Sequence, residues 1–383
     1  MNKIYLDQGA TSFPKPDCVA KSMIEYIQNN GANINRSVYS SAEQAQNVAL
    51  ETRIKLCELF SFQKPNHVIF TPGNTWGINM ILAGFLKKGD HCIVSSMEHN
   101  AVMRPLIALE KQGVEFTRVW CDKKGRLNPE DVEKAIKSNT RLVIISHASN
   151  VCGTVQDAET IGLICKKHGV HFALDGAQTA GHIPIDFQKF NLSALSVPAH
   201  KGLLGPQGLG VLLLDKDFAK ELVPIVSGGT GSVSNSEDIP SFMPDRFEPG
   251  TANIPGIYGL SSALSFIENT TLKSIEEHDK CLSKRFLAGI KDINNIELLG
   301  LDDTENRVGV FSLNFSGKDN AEVSYRLSNE FGIYTRCGLH CAPSAHKTLG
   351  TFPYGTVRFS LGWFNTEEDI ELALNAIKKI SEE

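Results

Sequence analysis

Between about residue 40 and residue 215, short apolar runs alternate with stretches of helical periodicity, and this alternation restricts the chain more than any other feature. Cys92–Ser95, Leu142–Ser146, Phe172–Leu174 and Gly210–Leu214 read as strands, while Ser41–Phe60, Trp76–Leu86, Pro129–Lys137 and Ala158–His168 read as helices. A strand that is apolar along its whole length is covered on both faces. The pattern therefore predicts an α/β fold with a mostly parallel sheet between helical layers. Ligands of such sheets sit at the carboxyl ends of the strands, so the residues closing each apolar run deserve inspection first.

The flanks read differently. Met1–Asp7 is a short strand pattern, Ile257–Glu268 begins a long helix, and Val308–Asn314 and Thr356–Leu361 alternate as strands between helices at Ala321–Glu330 and Glu367–Glu382. That predicts a smaller α+β domain. In between lie Gly/Ser-rich Ser227–Ser232 and Pro-rich Ile239–Pro255, expected to form a long functional surface loop carrying Arg246, Phe247 and Glu248. A chain of 383 residues supports two domains. The expected division is a large domain over 16–262 and a small one over 1–15 and 263–383.

Charge and composition exclude several functions. With 38 Lys+Arg against 43 Asp+Glu, the net charge of −5 does not suit nucleic-acid binding through bulk positive charge. At 42% hydrophobic residues, disorder is not the dominant state. No stretch nears the roughly 20 apolar residues of a membrane helix, and the start lacks a signal-peptide core. Nine cysteines without CxxC spacing suggest neither a disulfide framework nor a zinc site. A cytoplasmic protein with no membrane partner is expected.

Chemistry gathers in four segments. In Phe172–Gln178 a carboxylate, Asp175, closes a buried strand; an isolated aspartate there is ordinarily a turn or helix cap. Twenty-six residues later Lys201 lies between an apolar run and the glycine-rich turn Gly202–Gly210, a poor setting for a solvated surface charge. Together they suggest pyridoxal phosphate: the lysine carries the cofactor, and the aspartate pairs with its pyridine nitrogen. Burial lowers the amine toward nucleophilic use. Phe70–Asn79 runs from a glycine turn into a helix, which suits a phosphate. In Tyr334–Pro343, Gly338 and Pro343 predict a loop around Cys341, with Arg336 and His340 supplying positive character that favours thiolate.

On these residues the sequence resembles the fold-type I, class V aminotransferase-like enzymes, and among them the type II cysteine desulfurases and selenocysteine lyases. The likeness runs from Tyr5-Leu6-Asp7 to Trp363-Phe364-Asn365-Thr366. It implies a seven-stranded, mostly parallel sheet in the large domain. It also implies that Lys201 is the Schiff-base lysine, Asp175 the pyridinium partner, Gln178 the partner of the phenolic oxygen, and His99 the ring-stacking residue. Asn150 would lie near the phenolic oxygen or the substrate. Asn74 and Thr75 match the family's phosphate-binding Gly-Thr-Thr element, and His200 matches a further phosphate-side residue. Thr251 corresponds to a threonine supplied by the neighbouring subunit, which implies a homodimer.

Arg336–Ala342 resembles the type II signature Arg-Thr-Gly-His-His-Cys-Ala, making Cys341 the sulfur acceptor. Arg358 matches the arginine that grips the substrate α-carboxylate, with Arg336 second. Three positions depart from the family. Pro198 replaces a serine, so phosphate contacts shift elsewhere, for instance to Ser196. Cys337 replaces a threonine and is a bystander or a partner for Cys341. Leu339 replaces the first histidine, leaving His340 as the local proton carrier. The implied activity converts L-cysteine to L-alanine, forming a persulfide on Cys341 that passes to a sulfur-acceptor protein such as an iron–sulfur scaffold. Selenocysteine lyase and class V aminotransferase are the alternatives.

Overall fold

A computed structural model describes residues 3–34 and 39–383. Seven strands form the central sheet: β2 (Val68–Thr71), β3 (His91–Ser95), β4 (Glu115–Val119), β5 (Thr140–Ser146), β6 (His171–Asp175), β7 (Ala194–Pro198) and β8 (Gly210–Leu214), preceded in the chain by β1 (Ile4–Tyr5). Their spatial order is β2-β8-β7-β6-β5-β3-β4. Only β8 runs against its neighbours, pairing antiparallel with β2 and β7. The apolar runs are continuous because both faces are covered. Ile93, Val143, Ile145, Phe172 and Leu174 pack into the core on one face, and Cys92, Val94, Leu142, Ile144 and Ala173 into that on the other.

The C-terminal part contains β9 (Ile296–Leu299), β10 (Val310–Phe315), β11 (Ile333–Tyr334), β12 (Arg336–Gly338) and β13 (Thr356–Ser360). β12-β13-β10-β9 make an antiparallel sheet, and β1 pairs parallel with β11. The helices Leu272–Lys291, Asn320–Phe331 and Glu367–Glu382 cover this sheet, and Ile4 and Leu6 of the N-terminal segment enter the same core. Within the opening strand pattern, Met1 and Asn2 lie outside the described residues.

Two local expectations change. The long helix expected from Ile257 is two helices, Ile254–Thr270 and Leu272–Lys291. Thr271 separates them with φ +70°, and its hydroxyl caps the second through the Ser274 N–H. The expected loop around Cys341 is shorter than Gly338 and Pro343 suggested. Arg336–Gly338 is strand β12 and Pro343 opens the helix Pro343–Leu349, which leaves Leu339–Ala342 between them. The long loop at 222–253 does form. Its Glu248 is tied down by both terminal guanidinium nitrogens of Arg53 and by the Phe70 N–H. Among the described residues no helix is long and apolar enough to cross a membrane.

Candidate active site

At the carboxyl ends of β5, β6 and β7 lies a cavity of about 620 Å³, lined also by Arg336 of β12 and Arg358 of β13. Asp175, the last residue of β6, sits at its floor, 3% exposed. Its neighbours in register are Ser146 on β5 and Ser196 on β7. Asn74 Nδ2 donates to Asp175 Oδ1 at 2.8 Å and the Ala177 N–H to the same oxygen at 3.0 Å. Burial pushes this carboxyl above its usual range, against the pull of those two donors. Such a buried acid suits a cationic partner above it.

Lys201 follows β7 and lines the same cavity. Burial first, then the Arg358 charge, lower its amine to about 8, while Asp175 works in the opposite direction. His99 caps the helix Asn100–Glu110 by accepting the Ala101 N–H at Nδ1 (3.0 Å), which leaves the ring proton on Nε2. Burial and the nearby Lys201 and arginine charges bring its basicity down to about 4, so the ring is neutral at pH 7.

The phosphate end is built by backbone. Among the described residues no side chain caps the helix Asn74–Phe85, and Gly73, Asn74 and Thr75 at its start line the cavity. Strand β8 passes close beneath: a Cβ on Gly210 would lie 2.5 Å from the Gly73 carbonyl carbon. His200 also lines the cavity, with Nδ1 3.0 Å from Thr11 Oγ1. Ser196 does not take over for the serine that Pro198 replaces. Its hydroxyl donates to Asn74 Oδ1 at 2.6 Å and is not part of the cavity wall, whereas Pro198 is.

Asn74, Thr75, His99, Asn150, Asp175, Gln178, His200, Lys201, Arg336 and Arg358 all line this one cavity. Thr251 does not; it lies exposed on the long loop. Cys341 is exposed at the edge. Its carbonyl accepts the Asn100 N–H at 2.7 Å, next to His99, and Arg336 Nη2 lies 3.8 Å from its Sγ. Asn150 Nδ2 donates to the His340 carbonyl at 2.7 Å, a second tie between this loop and the large lobe.

His340 does not have the role the sequence suggested. Its side chain is buried, Nε2 donates to the Arg336 carbonyl at 3.1 Å, and Nδ1 meets His346 Nε2 at 3.4 Å. Burial and the Arg358 charge depress it to about 2, so it is neutral, and neither nitrogen is turned to the cavity. Arg336 is the cation beside Cys341. Cys337 packs against the small-lobe core, and all nine cysteines are free. Sequence reading missed Gly9 and Ala10, which also line the cavity. Small residues just after an N-terminal strand were their only signal.

Comparison with known proteins agrees with this architecture. A family model described as "Aminotransferase class-V" matches residues 4–373. A probable cysteine desulfurase of Methanothermobacter thermautotrophicus is 33% identical over 99% of this chain and 94% of its own. One of Borreliella burgdorferi is 32% identical over 99% of this chain and 92% of its own. The apo structure of a cysteine desulfurase from Thermococcus onnurineus NA1 superposes with a TM-score of 0.92 at 31% identity, covering 99% of this chain and 95% of that one. The Escherichia coli cysteine desulfurase CsdA, in an S-sulfonic acid form, superposes with a TM-score of 0.89 at 25% identity, with the same coverages. With a buried lysine–aspartate pair at the ends of a mostly parallel sheet and relatives matched over nearly its full length, this chain belongs to the class-V aminotransferase family, in the branch where cysteine desulfurases are found.

Proposed function

We propose that the protein is a pyridoxal phosphate-dependent cysteine desulfurase. It converts L-cysteine to L-alanine and carries the sulfur as a persulfide on Cys341 for delivery to an acceptor protein. The observation that carries this reading is the tie between the Asn100 N–H and the Cys341 carbonyl, which keeps an exposed thiol beside the cavity that holds Lys201 and Asp175.

The residues present fit the cofactor. Asp175 is a buried acid with no cation hydrogen-bonded to it among the described residues, Lys201 is a buried amine, and the amides after Gly73 suit a phosphate. Lys201 would hold it covalently and Asp175 would meet its ring nitrogen. Gln178 would meet the phenolic oxygen, His99 the ring face, and Asn74, Thr75 and His200 the phosphate. When bound, pyridoxal phosphate supplies an electron-withdrawing ring that acidifies the substrate Cα–H and makes the Cβ–S bond labile.

The chain's own groups do the rest. Arg358 takes the substrate carboxylate in a two-pronged contact. The Lys201 amine, brought down to about 8, takes the Cα proton near neutral pH. The Cys341 thiolate attacks the substrate sulfur. An S–S bond forms, the Cβ–S bond breaks, and its electron pair stays with the carbon that becomes the alanine methyl. Arg336 places a cation beside the attacking sulfur. Gln178 is buried and donates to the Gly9 carbonyl, which holds it at the wall.

We further assign residues 16–262 to the cofactor-holding lobe, and residues 1–15 with 263–383 to the lobe that carries the thiol. Supporting this, Ile4 and Leu6 share a core with the C-terminal helices. Thr251, exposed on its loop, is assigned to a partner subunit's site in a homodimer. The free cysteines fit a reducing compartment such as the cytoplasm.

The test is an absorbance spectrum of the purified protein before and after L-cysteine, with alanine and sulfide assayed in the same tube. A cofactor band that shifts on addition, with alanine released, is expected. Alanine release at full rate by Cys341→Ala would reject direct attack by this thiol. Amino transfer dependent on a keto acid would favour the aminotransferase reading, and loss of cysteine turnover alone, with selenocysteine turnover kept, the selenocysteine lyase reading.

A further inference from the structure

Arg358 stands on β13 with 1% of its side chain exposed, and a guanidinium so placed needs partners to stay charged. Its Nη2 donates to Asp7 Oδ1 at 2.7 Å and its Nη1 to the Asn150 carbonyl at 3.1 Å. Its Nε is buried with no hydrogen-bond partner among the described residues. Arg358 lines the cavity, whereas Asp7 does not. The carboxylate therefore holds the guanidinium from outside the site.

Asp7 is itself firmly placed. It forms a parallel bridge with Ser360, two residues along β13 from Arg358. The Ser360 N–H donates to the Leu6 carbonyl at 2.7 Å, and the Gly9 N–H to Ser360 Oγ at the same distance. A Cβ on Gly9 would come within 3.3 Å of Arg358 Cζ, so the segment lies flat against the guanidinium. The carbonyl of Gly9 accepts from Gln178, which ties the segment to the cavity wall.

The geometry points to Asp7 as a positioning residue for substrate: it fixes the plane of Arg358 so that the terminal N–H bonds not taken by Asp7 and Asn150 meet an α-carboxylate entering the cavity. This rests on the desulfurase reading only in taking the substrate to be an α-amino acid. Two effects of Asp7 oppose each other. Its charge weakens the pull of Arg358 on a second carboxylate, while its hydrogen bond keeps the fork aligned. Alignment dominates, because a two-pronged contact depends on a fixed plane. Without Asp7, Arg358 would keep only its bond to the Asn150 carbonyl.

The experiment compares Asp7→Ala and Asp7→Asn with the wild type, all loaded with pyridoxal phosphate. Loss of one charged hydrogen bond in Asp7→Ala is expected to raise KM for L-cysteine by about ten- to a hundredfold, with kcat within about threefold. Asp7→Asn keeps an acceptor oxygen and fills the same space, so its KM is expected within about threefold of the wild type. Spectral titration reads binding without turnover. Asp7→Ala should weaken L-cysteine but not cysteamine, which lacks the carboxylate, a split that general damage to the fold would not produce.

An unchanged or lower KM in Asp7→Ala, or equal weakening of both ligands, overturns the proposal. Where Asp7→Ala does not accumulate, Asp7→Asn decides alone: a KM raised about tenfold or more would make charge, not alignment, the contribution of Asp7. A wild-type protein that binds L-cysteine but releases no alanine would reject the desulfurase reading and leave this one to the titration.

Discussion

The floor of the cavity and the arm that carries Cys341 are built on opposite principles. Asp175, His99 and Ser146 close strands or cap a helix in a sheet covered on both faces, and each is fixed by hydrogen bonds. The arm is the Leu339–Ala342 segment, with both His340 and Cys341 in the left-handed region at φ +49° and +57°. It rests on the large lobe through the Asn100 and Asn150 contacts. A floor that shifts basicity has to be dry and rigid, because burial is what raises Asp175 and lowers Lys201. The role proposed for Cys341, accepting sulfur and then surrendering it, needs an exposed thiol, and Cys341 is exposed. One chain meets both demands by placing the floor on the seven-stranded sheet and the arm after β12 of the four-stranded one.

The largest effect should come from the floor. Lys201→Ala is expected to remove the bound-cofactor absorbance and to lower alanine formation by about 10⁴-fold or more, which alanine assay and a visible spectrum check together. Next is the arm. Cys341→Ser should lower alanine formation from L-cysteine by about 10²-fold or more while the absorbance stays intact. An altered cofactor spectrum in that variant would mean that arm and floor are not separable.

A third experiment sharpens the floor alone. Glu98 is fully buried and accepts from Ser95 Oγ and from the N–H and Oγ of Ser146. Burial raises its carboxyl from 4.5 to about 7. In the unfolded chain the proton is lost near 4.5, and in the folded chain only near 7. The stabilisation is therefore full below 4.5 and is lost as the pH rises through 7. Glu98→Gln removes that titration. Relative to wild type, its stability should rise between pH 4 and pH 8 by about 3 kcal/mol, measured by denaturant unfolding at each pH. The smallest effect is expected at Cys337→Thr, where the side chain packs into the small-lobe core away from the chemistry. Alanine formation should change by less than about twofold.

What could be read in the sequence follows the same division. Strands β3, β5, β6 and β8 were legible because a sheet buried on both faces leaves unbroken apolar runs, and Asp175 and Lys201 stood out as charges where apolar runs end, although β7, broken by Ser196 and closed by Pro198, was not read as a strand. Edge strand β4 escaped notice because it is partly exposed and carries Glu115 and Arg118 among its apolar residues. The helix Asn100–Glu110 escaped because Pro105 lies inside it. On the arm, sequence pointed to Cys341 but misread His340. The neutrality of that ring depends on burial against His346 and on the charge of Arg358, eighteen residues away, and neither shows in a local pattern. The Asp7–Arg358 pair joins the two ends of the chain, 351 residues apart, and no spacing rule reaches that far.

The Asn100 N–H holds residue 341 by its main-chain oxygen, whatever the side chain carries. A carbonyl grip does not respond to the side chain, so a thiol and a persulfide are moored identically. On the proposed function, loading sulfur on the exposed side chain would leave this main-chain hydrogen bond in place.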